Sequence, residues 1–136
     1  MNILGVEHIG IAVKSLSDSI PVYERLLGTP CYKIEFVEEE AVTTAFCKVG
    51  NTKIELLEAT NGEGVIGDFV SGSGEGVHHI AFSVNNASEA LLTAKAEGFR
   101  PIDRTPRAGA EGMRIGFLNP KKTAGGLVEL CSVLET

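Results

Sequence analysis

Apolar and polar residues alternate over Val6 to Val13, with Ile9, Ile11 and Val13 set against His8, Gly10 and Ala12. A period of two predicts a strand, and it puts His8 on a face of small residues that leaves room for something to bind. Ser15-Leu16-Ser17-Asp18 supplies N-cap chemistry, and Ile20, Tyr23, Leu26 and Leu27 recur at helical spacing before Gly28. The helix these predict should carry Pro21 in its first turn, where a missing N–H costs little. Strands are expected over residues 30–37, 41–49 and 52–59, with Glu38-Glu39-Glu40 an exposed turn and Gly50-Asn51 a tight hairpin turn. In the last of these strands Lys53, Glu55 and Leu57 share one face and Ile54, Leu56 and Glu58 the other. Only one of Glu55 and Glu58 can therefore point inward.

After a helical turn over residues 65–70, flanked by two glycine-rich stretches, the plan repeats. Val77-His78-His79-Ile80-Ala81-Phe82-Ser83-Val84 is a second copy of Val6-Glu7-His8-Ile9-Gly10-Ile11-Ala12-Val13, and His79 falls on His8 at an offset of 71. A strand over 78–84, a helix over 88–97 capped by Asn85, Asn86 and Ser88, a short strand near 101–103, and strands over 113–118 and 127–133 complete the second copy. Each copy ends in an apolar run holding one carboxylate, Ile54-Glu55-Leu56-Leu57 and Val128-Glu129-Leu130-Cys131. A period near 70 is too long for a solenoid and suits a duplicated α+β module. The expected architecture is one domain over 1–136 built from two tandem βαβββ modules, 1–60 and 75–136, pairing into a curved, partly open eight-stranded barrel with helices outside. His8, Glu55, His79 and Glu129 then form a ligand set for one metal ion. His78, beside His79 on a strand, faces the other way and reads as structural.

Composition narrows the function. With 136 residues and 43% hydrophobic content the chain can bury a core, and a net charge of −6 with pI near 5.0 gives no footprint for nucleic acid. The basic residues Arg100, Arg104, Arg107, Arg114, Lys121 and Lys122 stand out as either solvated loop charge or a landing site for an anionic ligand. No apolar run reaches the roughly 20 residues of a membrane span, and no signal core opens the chain, so a cytoplasmic protein is expected. Cys31, Cys47 and Cys131 have no CxxC spacing and read as reduced, half-buried or core residues.

The blocks His8-Ile9-Gly10-Ile11-Ala12-Val13, Gly50-Asn51-Thr52-Lys53-Ile54-Glu55-Leu56-Leu57-Glu58, Gly74-Glu75-Gly76-Val77-His78-His79-Ile80-Ala81-Phe82 and Asn119-Pro120-Lys121 through Glu129-Leu130 resemble the vicinal oxygen chelate superfamily. Among its branches they are most similar to the methylmalonyl-CoA epimerases, over nearly the whole chain. That resemblance implies 1,1-proton transfer between the 2R and 2S epimers of methylmalonyl-CoA through a metal-stabilised enediolate. It implies one divalent ion per chain, Co²⁺ ahead of Zn²⁺, Ni²⁺ or Mn²⁺, and a homodimer. Two positions depart from the family: Asn119 stands where a histidine is usual, and Thr44 stands where one branch has a glutamate proposed as a catalytic base.

Two imidazoles and two carboxylates suit a borderline-hard cation, and without thiolates a closed structural zinc is not expected. Four protein ligands on a six-coordinate ion leave two positions for two oxygens of one substrate. With Thr44 in one base's place, Glu129 and Glu55 are assigned the proton transfers. For the CoA phosphates, Arg107 and Lys121 are the expected contacts. Glyoxalase I is the alternative reading, since bacterial forms share the His, Glu, His, Glu set, and a metal-free binding or resistance protein is a weaker one.

Overall fold

The computed structural model describes residues 1–133. The backbone divides into two compact units, His8–His78 and, with Met1–Glu7, the residues from His79 on. Each unit carries the order β-α-β-β-β. In the first these are β1 (Gly5–Val13, from His8 on), α1 (Leu16–Leu27), β2 (Lys33–Val37), β3 (Val42–Val49) and β4 (Thr52–Ala59), followed by α2 (Gly64–Ser73). In the second they are β5 (Gly76–Ser83, from His79 on), α3 (Ala87–Ala96), β6 (Arg107–Ala108), β7 (Arg114–Leu118) and β8 (Val128–Ser132). Among the described residues, no helix is long and apolar enough to cross a membrane.

In both units the first strand pairs in parallel with the last, while the strands between are antiparallel. The registers correspond: Gly10 lies beside Glu55 and Ala81 beside Glu129, each small residue two positions after a histidine. Alternation then gives the strands of each unit two faces with different tasks. In the first unit Val13, Leu16, Ala45 and Leu56 form a core with Ile11, Ile20, Tyr23 and Ile54 packed on it, which seats α1. In the second, Val84, Leu91, Leu118 and Leu130 do the same beneath α3. The faces holding the histidines and the inward glutamates are the opposite ones.

The start of α1 is fixed from two directions. Ser15 Oγ accepts from the Asp18 N–H at 3.3 Å, and Glu58, on the helix face of β4, accepts from the Leu16 N–H at 2.7 Å. Both satisfy amides that the helix itself leaves open, and the Glu58 carboxylate sits at the favourable end of the helix dipole. Because these caps hold the start at Leu16, Pro21 is the sixth helical residue rather than a first-turn one, and the helix forgoes the bond that position would give to the Ser17 carbonyl. Gly28, at φ 70°, closes the helix in the left-handed region.

The expected strand at 101–103 is not formed. Pro101 makes a lone bridge to Leu118, and the Asp103 side chain takes the Phe117 N–H at 2.8 Å, so the backbone ladder stops there. The strand that pairs with β7 is the two-residue β6, which places Arg107 on a strand, opposite Ile115, rather than in a loop.

Helix α2 crosses the chain closely. A Cβ at Gly67 would lie 2.1 Å from the Gly62 carbonyl oxygen and 3.4 Å from the Ala59 Cβ. Backbone on one side leaves no flexible group to yield, so Gly67→Ala is expected to cost about 1–3 kcal/mol through overpacking. A lowered urea midpoint with unchanged slope checks it.

Candidate functional site

Each unit buries one histidine beside one glutamate. In the first, His8 Nδ1 lies 2.7 Å from Glu55 Oε2; in the second, His79 Nε2 lies 3.5 Å from Glu129 Oε1. All four residues are at most 6% exposed. A carboxylate shut away from water is costly unless it is paired, and an imidazole beside it supplies that pair. The parallel registers explain why the pairs form: the histidine and the glutamate stand on neighbouring strands, on the same face and nearly level.

Behind each pair stands a phenylalanine that the sequence reading passed over. Phe46 is directly opposite Glu55 on β3, and Phe117 directly opposite Glu129 on β7. The Phe117 ring meets His79 edge to face at 5.5 Å. These rings fix side-chain position and keep the local dielectric low, which strengthens any charge interaction made there. Their signal was available, since positions 46 and 117 share the offset of 71 that relates the histidines.

A cation overlies each ring. Lys33 Nζ is 5.9 Å from the Phe46 centroid, and the Arg107 guanidinium is 5.4 Å from that of Phe117. Arg107 Nε is also 3.3 Å from Asp103 Oδ1, which orients the guanidinium over β7. Lys121 is on the turn Pro120–Lys122 that follows β7, where it is exposed. Asn119 caps that turn by accepting from the Lys121 N–H at 2.9 Å, work that needs only a short polar acceptor.

His78 faces away from His79 and stands edge-on to Phe69 at 5.0 Å; burial holds its imidazole below the ordinary pKa. The three cysteines are free. Burial and a hydrogen bond from the Cys47 S–H to Cys31 push the Cys47 thiol up to about 12. Thr44 is 1% exposed, and its hydroxyl has no hydrogen-bond partner among the described residues.

Residues 7–117 match the model of the Glyoxalase/Bleomycin resistance protein/Dioxygenase superfamily. The chain belongs to that superfamily. Its relatives include the uncharacterized protein YqjC of Bacillus subtilis, 43% identical over 93% of this chain and 90% of that one. The mitochondrial methylmalonyl-CoA epimerase of Dictyostelium discoideum is 37% identical over 92% of this chain and 76% of its own length. Among solved structures, a variant of the Streptomyces coelicolor methylmalonyl-CoA epimerase in complex with 2-nitronate-propionyl-CoA superposes with a TM-score of 0.93 at 32% identity, covering 99% of this chain and 98% of the other. Within the superfamily this chain is an epimerase-type enzyme.

The first pair can be tested without any ligand. In chelator-treated protein, His8→Ala strands the Glu55 carboxylate and is expected to cost about 3–5 kcal/mol, as when one member of a buried ion pair is removed. The double variant His8→Ala/Glu55→Ala should recover part of that loss. Urea denaturation of the two variants and the parent decides it, and equal losses would mean that packing, not the pairing, holds the site.

Proposed function

We propose that this protein is a metal-dependent epimerase that interconverts the 2R and 2S forms of methylmalonyl-CoA by 1,1-proton transfer. One observation carries the reading: a chain of this superfamily buries two His–Glu pairs in equivalent registers. His8, Glu55, His79 and Glu129 together are the proposed ligands of a single divalent cation, drawn from Co²⁺, Zn²⁺, Ni²⁺ and Mn²⁺. The donor set fits such an ion, since imidazole nitrogen and carboxylate oxygen suit borderline to hard cations and no thiolate competes. Two paired half-sites, one from each arm of a duplicated βαβββ unit, account for the offset of 71 between the histidines. When bound, the cation supplies Lewis-acid neutralisation of the charge that builds as the α-proton leaves.

The residues of the chain do the rest. Methylmalonyl-CoA carries a carboxylate and a thioester carbonyl on the carbon that loses its proton, so two oxygens anchor the acyl group and expose the C–H to either side. Inversion needs a proton acceptor on one side and a donor on the other. Glu129 is assigned to one side and Glu55 to the other. Phe46 and Phe117 exclude water beside them, which protects the carbanionic species from stray protonation. Arg107, ion-paired with Asp103, is assigned to a phosphate of CoA, and Lys121 adds a second cation. The protein is proposed to act in the cytoplasm as a homodimer.

Metal-loaded protein should hold one divalent ion per chain and incorporate deuterium at the α-carbon of methylmalonyl-CoA in D₂O. Glu129→Gln should retain some metal and lose exchange of one epimer by roughly 100-fold or more, since an amide can coordinate but cannot carry the proton. Full metal occupancy in His8→Ala/His79→Ala would sink the ligand assignment.

The CoA contacts are checked separately. Arg107→Ala with Lys121→Ala should raise the Michaelis constant for the CoA ester, most at low salt, and leave a short thioester unaffected. Equal effects on both substrates would return these residues to a structural role.

A further inference from the structure

A carboxylate engaged with a cation is a poor carrier of protons, because ligation and protonation compete for the same lone pairs. Glu55 and Glu129 are each given both tasks, and only in the first unit does a further carboxylate on the same face of the sheet offer to divide them. Directly opposed residues of antiparallel strands project to one side of the sheet. Phe46 is opposite Glu55, so Thr44, two positions along β3, shares the Glu55 face; Glu35 on β2 is opposite Thr44 and shares it too.

Thr44 marks this spot as built for more than packing. At the matching position of the second unit stands Ile115, 3% exposed and part of the apolar core. Where only the fold is served, the site takes an aliphatic side chain. In the first unit it takes a hydroxyl that is buried with no hydrogen-bond partner among the described residues, a placement that costs stability. Across the strand, Cβ atoms of such opposed residues lie about 4.5–5.5 Å apart, within reach of a Glu35 carboxylate turned toward Thr44. One contact of Glu35 is an ion pair of 3.3 Å with Lys33, whose side chain is 44% exposed, and ion pairs near the surface are worth little. The second unit shows the same asymmetry, since the residue opposite Ile115 is a cation, Arg107.

We propose that Glu35 is the proton carrier on the first unit's side of the substrate, and that Thr44 is the positioning residue whose hydroxyl donates to it. The inference rests on the epimerase reading above and relieves Glu55 of the proton, leaving it as a ligand. The step balances: the C–H bond of one epimer breaks, its proton goes to a Glu35 oxygen, its electron pair delocalises onto the acyl oxygens, and Glu129 delivers a proton to the opposite side. The reverse direction exchanges the two roles.

The test follows α-deuterium incorporation from each single epimer of methylmalonyl-CoA in D₂O, together with metal content and urea stability. Glu35→Gln should keep its metal and lose exchange of one epimer by roughly 100-fold or more, while exchange of the other epimer, driven by Glu129, persists. Thr44→Val should be as stable as the parent or more so, and should lose roughly tenfold in the same half-reaction only. Unchanged exchange of both epimers in Glu35→Gln, or equal losses for both, overturns the proposal while the epimerase reading stands. If the metal-loaded parent exchanges neither epimer, the epimerase reading fails and this inference goes with it.

Discussion

Parallel pairing between the first and last strand of each unit is the constraint on which the site depends. An antiparallel partner could follow through a short turn, but a parallel one needs a long return, and here the return is a helix and two further strands. That detour brings a glutamate near the C-terminal end of a module level with a histidine near its start. A slip of one residue in either register would turn the carboxylate toward the helix. Glu58 shows what such a face demands, since there a carboxylate serves as a helix cap.

Dividing the strands of each unit into a helix face and a site face also divides the energetics. The helix faces are aliphatic and stabilise by burial, roughly 25 cal/mol per Å² of apolar surface removed from water. The site faces bury imidazoles, carboxylates and a threonine hydroxyl, groups that give little net stability even when paired. The first set of residues thus sustains the second, and Phe46 and Phe117 stand at the seam, apolar in substance yet placed opposite the glutamates.

The histidines and their glutamates were legible in the sequence because a duplicated pattern of ligand-type residues is hard to produce by packing alone. The inward choice between Glu55 and Glu58 was half legible: period two forced a choice, and only the alignment with Glu129 made it. Phe46 and Phe117 hid because a phenylalanine in an apolar strand has an ordinary explanation, although their common offset was there to be seen. Pro21 was misplaced by a turn because the second cap of α1, Glu58, lies 42 residues downstream of Leu16. The absent strand at 101–103 has a similar cause, since the side chain of Asp103 captures an amide of β7. The unsatisfied hydroxyl of Thr44 could not be read at all, because burial on that face is decided by tertiary structure.

Lys33, Glu35 and Arg107 sit on β2 and β6, which among the described residues have no strand partner on their far sides. Open strand edges are templates for another chain, and inward-pointing charge is a common defence against that pairing. Phe36 and Ile34, 56% and 61% exposed on the outer face of β2, make the defence necessary. Charged side chains on these two strands oppose strand addition of that kind. On the roles proposed above for Glu35 and Arg107, solubility and chemistry draw on the same side chains.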